Sequence, residues 1–131
     1  MRVRTGGEIV NRAWAFVAMT LVGTVAGQLV LKYAIGRHGE IPRDLAGAAS
    51  FIGRTLMDPL VLLSLALAFG AALAWIAAVS RLSLSTAYPF MSLAFVFTAL
   101  LSTLLLGESI SPMRWAGLLV VVAGLVLVAE G

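Results

Sequence analysis

An all-α membrane protein of four transmembrane helices is the fold this sequence predicts, and three observations predict it. Hydrophobic residues make up 61% of the chain and charged ones only 11%, whereas a soluble domain carries roughly 25% charged side chains. So few charges cannot cover a water-exposed surface for a chain of 131 residues, which leaves lipid to cover the rest. The apolar residues gather into four runs, at about residues 10–35, 59–79, 84–106 and 113–129, each near the roughly 20 residues that cross a hydrocarbon core about 30 Å thick. The runs are rich in Leu, Ala and Val and lack the two-residue alternation of a transmembrane strand. A helix also satisfies its own backbone in lipid. The length leaves room for a single domain, residues 1–131.

The elements follow in order. Arg2, Arg4 and Arg12 flank the first span, and Gly36 with Gly39 ends it. This span is longer than the apolar region of a signal peptide and carries Thr20, Thr24, Gln28 and Lys32, so it is expected to remain in the mature protein. In the loop that follows, Leu45, Ala49, Ile52 and Leu56 recur at helical spacing while Arg43, Asp44, Gly47 and Arg54 fall elsewhere. That pattern suits a short interfacial helix over residues 43–57, with a plain loop as the alternative. Asp58-Pro59 opens the second span, since proline suits a first helical turn, and Arg81 closes it. Ser83 or Ser85 caps the third span, Gly107-Glu108 ends it, and Ser111-Pro112 opens the fourth. The last two loops are very short, so spans two to four form an antiparallel series. Basic residues are almost evenly divided between the two sides, so the positive-inside rule leaves the orientation open.

Several function classes drop out. Cysteine is absent, which removes disulfides, thiolate metal sites and cysteine nucleophiles. The single histidine, His38, has no partner at ligand spacing and is expected to be solvated. The net charge of +3 is spread over segment ends, without the basic patch and interleaved aromatics of a nucleic-acid binder. No acid lies mid-span and no Gly-x-Ser-x-Gly elbow occurs. Neither an enzyme nor a cofactor is expected.

Polar residues inside the membrane are costly and mark pathways. Thr20, Thr24, Gln28 and Lys32 follow at steps of four, drifting about 40° per step, so they share one stripe of about 120°. Gly23 and Gly27 border it. The stripe either lines a cavity or serves packing, with Lys32 snorkelling to water. In the third span Pro89 removes a backbone donor and permits a kink, and Tyr88 and Ser92 can share a cavity. Trp14 and Trp115 are expected as interface anchors, while Trp75 is either an anchor or a cavity wall. Gly117 and Gly124 permit close contact of the fourth span, within the chain or between subunits. Glu108 is expected to pair with Arg114 in a structural role. Four helices seldom enclose a path alone, so a dimer is expected, and the balanced charges allow an antiparallel, inverted-repeat pair.

The segments Val25 to Lys32 (VAGQLVLK), Ala87 to Phe97 (AYPFMSLAFVF) and Leu106 to Gly124 (LGESISPMRWAGLLVVVAG) resemble the drug/metabolite transporter superfamily, whose EamA-like and small multidrug resistance-like members include short chains of this kind. Within it the chain looks most like subunits of the aminoarabinose-phosphoundecaprenol flippase. The resemblance implies a four-helix protomer paired with a copy of itself or a homologous subunit in a bacterial inner membrane, surrounded by membrane lipids and moving a polyprenyl-phosphate-linked sugar. The drug exporters of the superfamily depend on a glutamate in the first helix, and counting back from the shared lysine puts that position at Thr24. Thr24 and Gln28 cannot titrate, which disfavours proton-driven export of cationic drugs. The expected site therefore has Gln28, Tyr88 and Ser92 on the polar head and Lys32 or Arg81 on the phosphate. A small multidrug-type exporter and a non-transporting assembly subunit are the alternatives.

Overall fold

A computed structural model describes residues 6–131. Arg2 and Arg4, placed by sequence at the flank of the first span, lie outside the described residues. Within them the chain forms six helices and no strand. Helix α1 (Gly6–Gly36) is followed by α2 (Leu45–Leu56), α3 (Pro59–Val79), α4 (Leu84–Phe90), α5 (Leu93–Leu106) and α6 (Pro112–Glu130). By length and composition α1, α3, the α4–α5 pair and α6 can each cross a membrane. At 1.5 Å per residue the 31 residues of α1 span about 46 Å, so its two ends overreach a hydrocarbon core and come to its interfaces.

The starts of α2, α3 and α6 each carry a side-chain cap. Asp44 caps α2 by accepting from the Gly47 N–H at 2.7 Å, and Asp58 caps α3 by accepting from the Leu60 N–H at 2.8 Å, with Pro59 in the first turn. Ser111 does the same for α6 through the Arg114 N–H. Ser83 precedes α4, but its hydroxyl donates to Thr86 Oγ1 at 2.7 Å and caps no backbone group. Gly107 ends α5 in the left-handed region at φ 67°, which a residue without Cβ adopts freely.

The α1–α3 pair is the most closely packed part of the bundle, and small residues are the reason. A β-carbon at Gly23 would lie 3.0 Å from Ala71 Cβ and 3.2 Å from the Leu67 carbonyl oxygen. One at Gly27 would lie 3.2 Å from the Ser64 carbonyl oxygen. Hydrogens there let the two backbones approach closely, and Ala71, Ala74 and Ala78 are buried on the α3 side of the seam. By contrast, a β-carbon at Gly117 or Gly124 would meet nothing within 4 Å. A side chain at either α6 glycine would thus meet open space within the chain, since α6 packs only lightly on α4 and α5 and Leu125 is its one buried residue.

The third span is broken. Pro89 has no N–H to give the Ser85 carbonyl, and the chain answers with three-residue hydrogen bonds. Met91 donates to Tyr88 at 2.9 Å, Ser92 to Pro89 at 3.0 Å and Ala94 to Met91 at 3.0 Å. This tighter winding separates α4 from α5. Outward, large apolar side chains such as Val22, Phe69, Ile76, Phe95 and Leu119 are exposed. So much exposed apolar surface suits lipid and not water.

Candidate functional site

Three elements bring their polar residues to one hollow of about 470 Å³. Helix α1 supplies Thr20, Thr24 and Gln28, α3 supplies Ser64 and Trp75, and α4 supplies Tyr88. The steps of four hold the α1 residues on one stripe, and the Gly23–Gly27 seam sets how near α3 stands to them. Trp75 and Tyr88 meet edge to face with ring centroids 6.0 Å apart, so the aromatic wall is fixed by the break at Pro89 that positions α4. The Thr20 hydroxyl donates to the Phe16 carbonyl at 2.8 Å and that of Ser64 to Val61 at 2.6 Å. Both donors are thus spent on their own helices. The side chains of Thr24, Gln28, Trp75 and Tyr88 have no hydrogen-bond partner among the described residues. Four neutral hydrogen-bonding groups therefore face the hollow, and no charged residue lines it.

Thr24 and Gln28 also border a second hollow of about 760 Å³, on the side of α5 and α6. Its walls carry Thr98, Ser102, Glu108, Arg114 and Gly117. One hollow is thus neutral and the other is charged at its margin, and the same two α1 side chains serve both. A third groove of about 370 Å³, between α1 and α5, is lined only by apolar residues such as Val22, Val25, Phe97 and Leu101.

Several sequence expectations change here. Glu108 pairs with Lys32, Nζ to Oε1 3.7 Å, and not with Arg114. Arg114 borders the same hollow but makes no ion pair among the described residues. The packing of α5 on α1 places the α5–α6 turn beside Lys32, a proximity that distance along the chain does not reveal. Ser92 lines neither polar hollow, because the break after Pro89 puts it in the linker between α4 and α5. Arg81 stands apart from Lys32. It borders a groove with Arg12, and Arg12 and Lys32 are 20 positions apart on α1, about 30 Å along the axis. Trp14 is not a free anchor. Its ring meets Phe90 at 4.7 Å, edge to face, against the buried cluster of Val17, Ala78 and Ala87.

His38 is not simply solvated either. Its Nε2 lies 2.7 Å from Asp58 Oδ2, and Arg37 reaches the same oxygen at 3.8 Å. The hydrogen bond from His38 is the main cause holding the Asp58 carboxyl below its ordinary range, aided by the Leu60 N–H and the Arg37 charge. This cluster ties the end of α1 to the start of α3 across the α2 excursion. Sequence reasoning missed it, although an Asp before a Pro and a lone His in one loop were its available signals. No group of three or more His, Asp or Glu arranged to hold a metal occurs among the described residues.

The comparisons with known proteins agree with this architecture. No solved structure matches the chain. It is 28% identical over 117 residues to the probable 4-amino-4-deoxy-L-arabinose-phosphoundecaprenol flippase subunit ArnE of Pseudomonas fluorescens (strain Pf0-1), covering 89% of this chain and 96% of that one. The model of the EamA-like transporter family matches residues 7–129, nearly the whole of the four-span bundle, and this multi-pass membrane protein belongs to that family.

Proposed function

We propose that this chain is one subunit of a flippase that moves a polyprenyl-phosphate-linked sugar, or a similar lipid-linked head, across a bacterial inner membrane. The observation that carries the reading is the neutral hydrogen-bonding hollow, with Thr24, Gln28, Trp75 and Tyr88 unpartnered and facing it. A sugar is a dense array of hydroxyls, and taking it out of water without replacement hydrogen bonds costs several kcal/mol per group. These four side chains replace part of that hydration without adding a charge that would repel a phosphate. Lys32 stands on the far side of Gln28 to meet the phosphate, exchanging Glu108 for it. The apolar α1–α5 groove offers the polyprenyl tail a surface that continues into lipid.

The hollows are open at the side, and α6 is largely uncovered. A second subunit, a copy or a homologue, closes them in this reading, as befits similarity to a protein named as a flippase subunit. The exposed row of Leu45, Ile52 and Leu56 on α2 suits the membrane interface. A multidrug-type exporter is not favoured, because Thr24 offers no proton-exchanging carboxylate.

The test is native mass spectrometry of the purified protein with undecaprenyl phosphate and phosphatidylglycerol in competition. Selective retention of the polyprenyl lipid, weakened about tenfold in Gln28→Ala and Lys32→Ala, is the expected result. Equal retention of both lipids by the unmodified protein sinks the reading in favour of an assembly subunit or small-solute exporter.

A further inference from the structure

The polar row on α1 is longer than its hydroxyls and amide. Continued backwards by the same step of four, Thr20 leads to Phe16 and then to Arg12. Each step turns about 40°, so the row from Arg12 to Lys32 winds about 200° around the helix while rising about 30 Å, one hydrocarbon thickness. Three concavities meet that row in succession. Arg12 and Phe16 border a groove of about 570 Å³ shared with Arg81. Thr20, Thr24 and Gln28 border the aromatic hollow. Thr24 and Gln28 then border the charged hollow, at whose margin Glu108 holds Lys32. The row thus begins and ends on a cation.

Arg12 comes from the start of α1 and Arg81 from the turn after α3. Neither has a carboxylate within 4.0 Å among the described residues. Two guanidinium-bearing residues give this groove a positive wall, and guanidinium matches phosphate geometry. The other walls, Ile9, Ala15, Phe16 and Met19, are apolar. A ligand with an anionic head and a hydrocarbon body fits that combination.

We propose that Arg12 and Arg81 form a second phosphate station, on the membrane face opposite Lys32, where the phosphate of a lipid-linked substrate is held before or after its head passes Thr24 and Gln28. This rests on the flippase reading and adds to it the place where the phosphate waits on the other face. Lys32 and Arg81 are then not alternatives for one phosphate but successive partners, too far apart to hold it together.

The experiment uses the full chain in detergent micelles, with retained ligand counted by native mass spectrometry and folding checked by gel filtration. Undecaprenyl phosphate, phosphatidylglycerol and inorganic phosphate are the probes. In a Lys32→Ala background, where the Lys32 station no longer competes for the phosphate, Arg12→Gln and Arg81→Gln are each expected to lower undecaprenyl phosphate retention about tenfold further. The double variant is expected to lose little more than either single one, since both side chains hold one phosphate. Arg12→Lys/Arg81→Lys recovers part of the loss, and Arg43→Gln, a charge removed elsewhere, changes nothing. Equal losses for phosphatidylglycerol would mean general anchoring to anionic lipid and overturn the station. Displacement by millimolar inorganic phosphate would overturn the lipid assignment in favour of a free anion. If the arginine variants bind normally while Gln28→Ala does not, the station falls and the flippase reading stands. If the unmodified protein shows no preference for the polyprenyl lipid, the flippase reading itself falls.

Discussion

Glycine-to-alanine substitution should have opposite signs on α1 and α6, and the structure supplies both magnitudes. At Gly23 the new methyl would stand 3.0 Å from Ala71 Cβ and 3.2 Å from the Leu67 carbonyl oxygen, and at Gly27 3.2 Å from the Ser64 carbonyl oxygen. Two of these three neighbours are backbone atoms, which cannot turn aside as a flexible side chain would. The helices must part by a few tenths of an ångström, and a gap of about 0.5–1 Å already forfeits a quarter to a half of each dispersion contact along the seam. Overpacking of this kind costs about 1–3 kcal/mol, against a gain of roughly 0.5–1 kcal/mol from replacing glycine inside a helix. The net expectation is a loss of up to about 2 kcal/mol for Gly23→Ala and for Gly27→Ala. Gly117→Ala meets open space and should keep the whole helical gain, about 0.4–1 kcal/mol. The assay is reversible unfolding of the purified protein in mixed micelles with increasing SDS, followed by far-UV circular dichroism. The protein is kept dilute, so that any dimer contact at α6 does not contribute. If Gly23→Ala and Gly27→Ala stabilise as much as Gly117→Ala, the α1–α3 seam is not the close contact described and the reasoning fails.

The remaining predictions concern charge. The Lys32–Glu108 pair is 3.7 Å long with both side chains well exposed, 67% and 43%, so Glu108→Gln should change stability by less than about 1 kcal/mol. The same substitution should raise affinity for a phosphate lipid by freeing Lys32, and lowered affinity in a lipid-binding titration would refute that competition. For Asp58 the folded carboxyl titrates below its ordinary value, so its stabilising contribution is complete above the ordinary carboxylate range and is lost as pH falls through the lowered value. Thermal unfolding followed from neutral to strongly acid pH should therefore show a steeper acid-side fall for the unmodified protein than for Asp58→Asn. Parallel curves would mean that the His38–Asp58–Arg37 cluster does not hold the α1–α3 junction.

Much of the molecule was legible before any tertiary contact was known. Apolar runs of membrane length, Asp-Pro and Ser-Pro at the starts of helices, and Gly107 at an end are local signals, set by the hydrophobic effect and by backbone groups that must be capped within a few residues. The stripe of Thr20, Thr24 and Gln28 was legible for the same reason, because helical periodicity puts residues four apart on one side whatever lies opposite. Motif resemblance likewise points to the transporter superfamily, since the motifs are contiguous segments of the chain.

What lies opposite was not legible. Trp75 and Tyr88 face Gln28 because glycine hydrogens let α3 approach α1 and because Pro89 breaks the third span at one particular turn. Ser92, four residues from Tyr88, drops out of the hollow at that same break. Glu108 prefers Lys32 to the nearer-in-sequence Arg114, and His38 finds Asp58 across 20 residues. The sequence by itself determined which segments span the bilayer and which faces of them are polar, since those depend on solvent transfer and helix geometry alone. Tertiary structure decided which polar faces share a hollow, and which charges meet, because those depend on how helices cross in three dimensions.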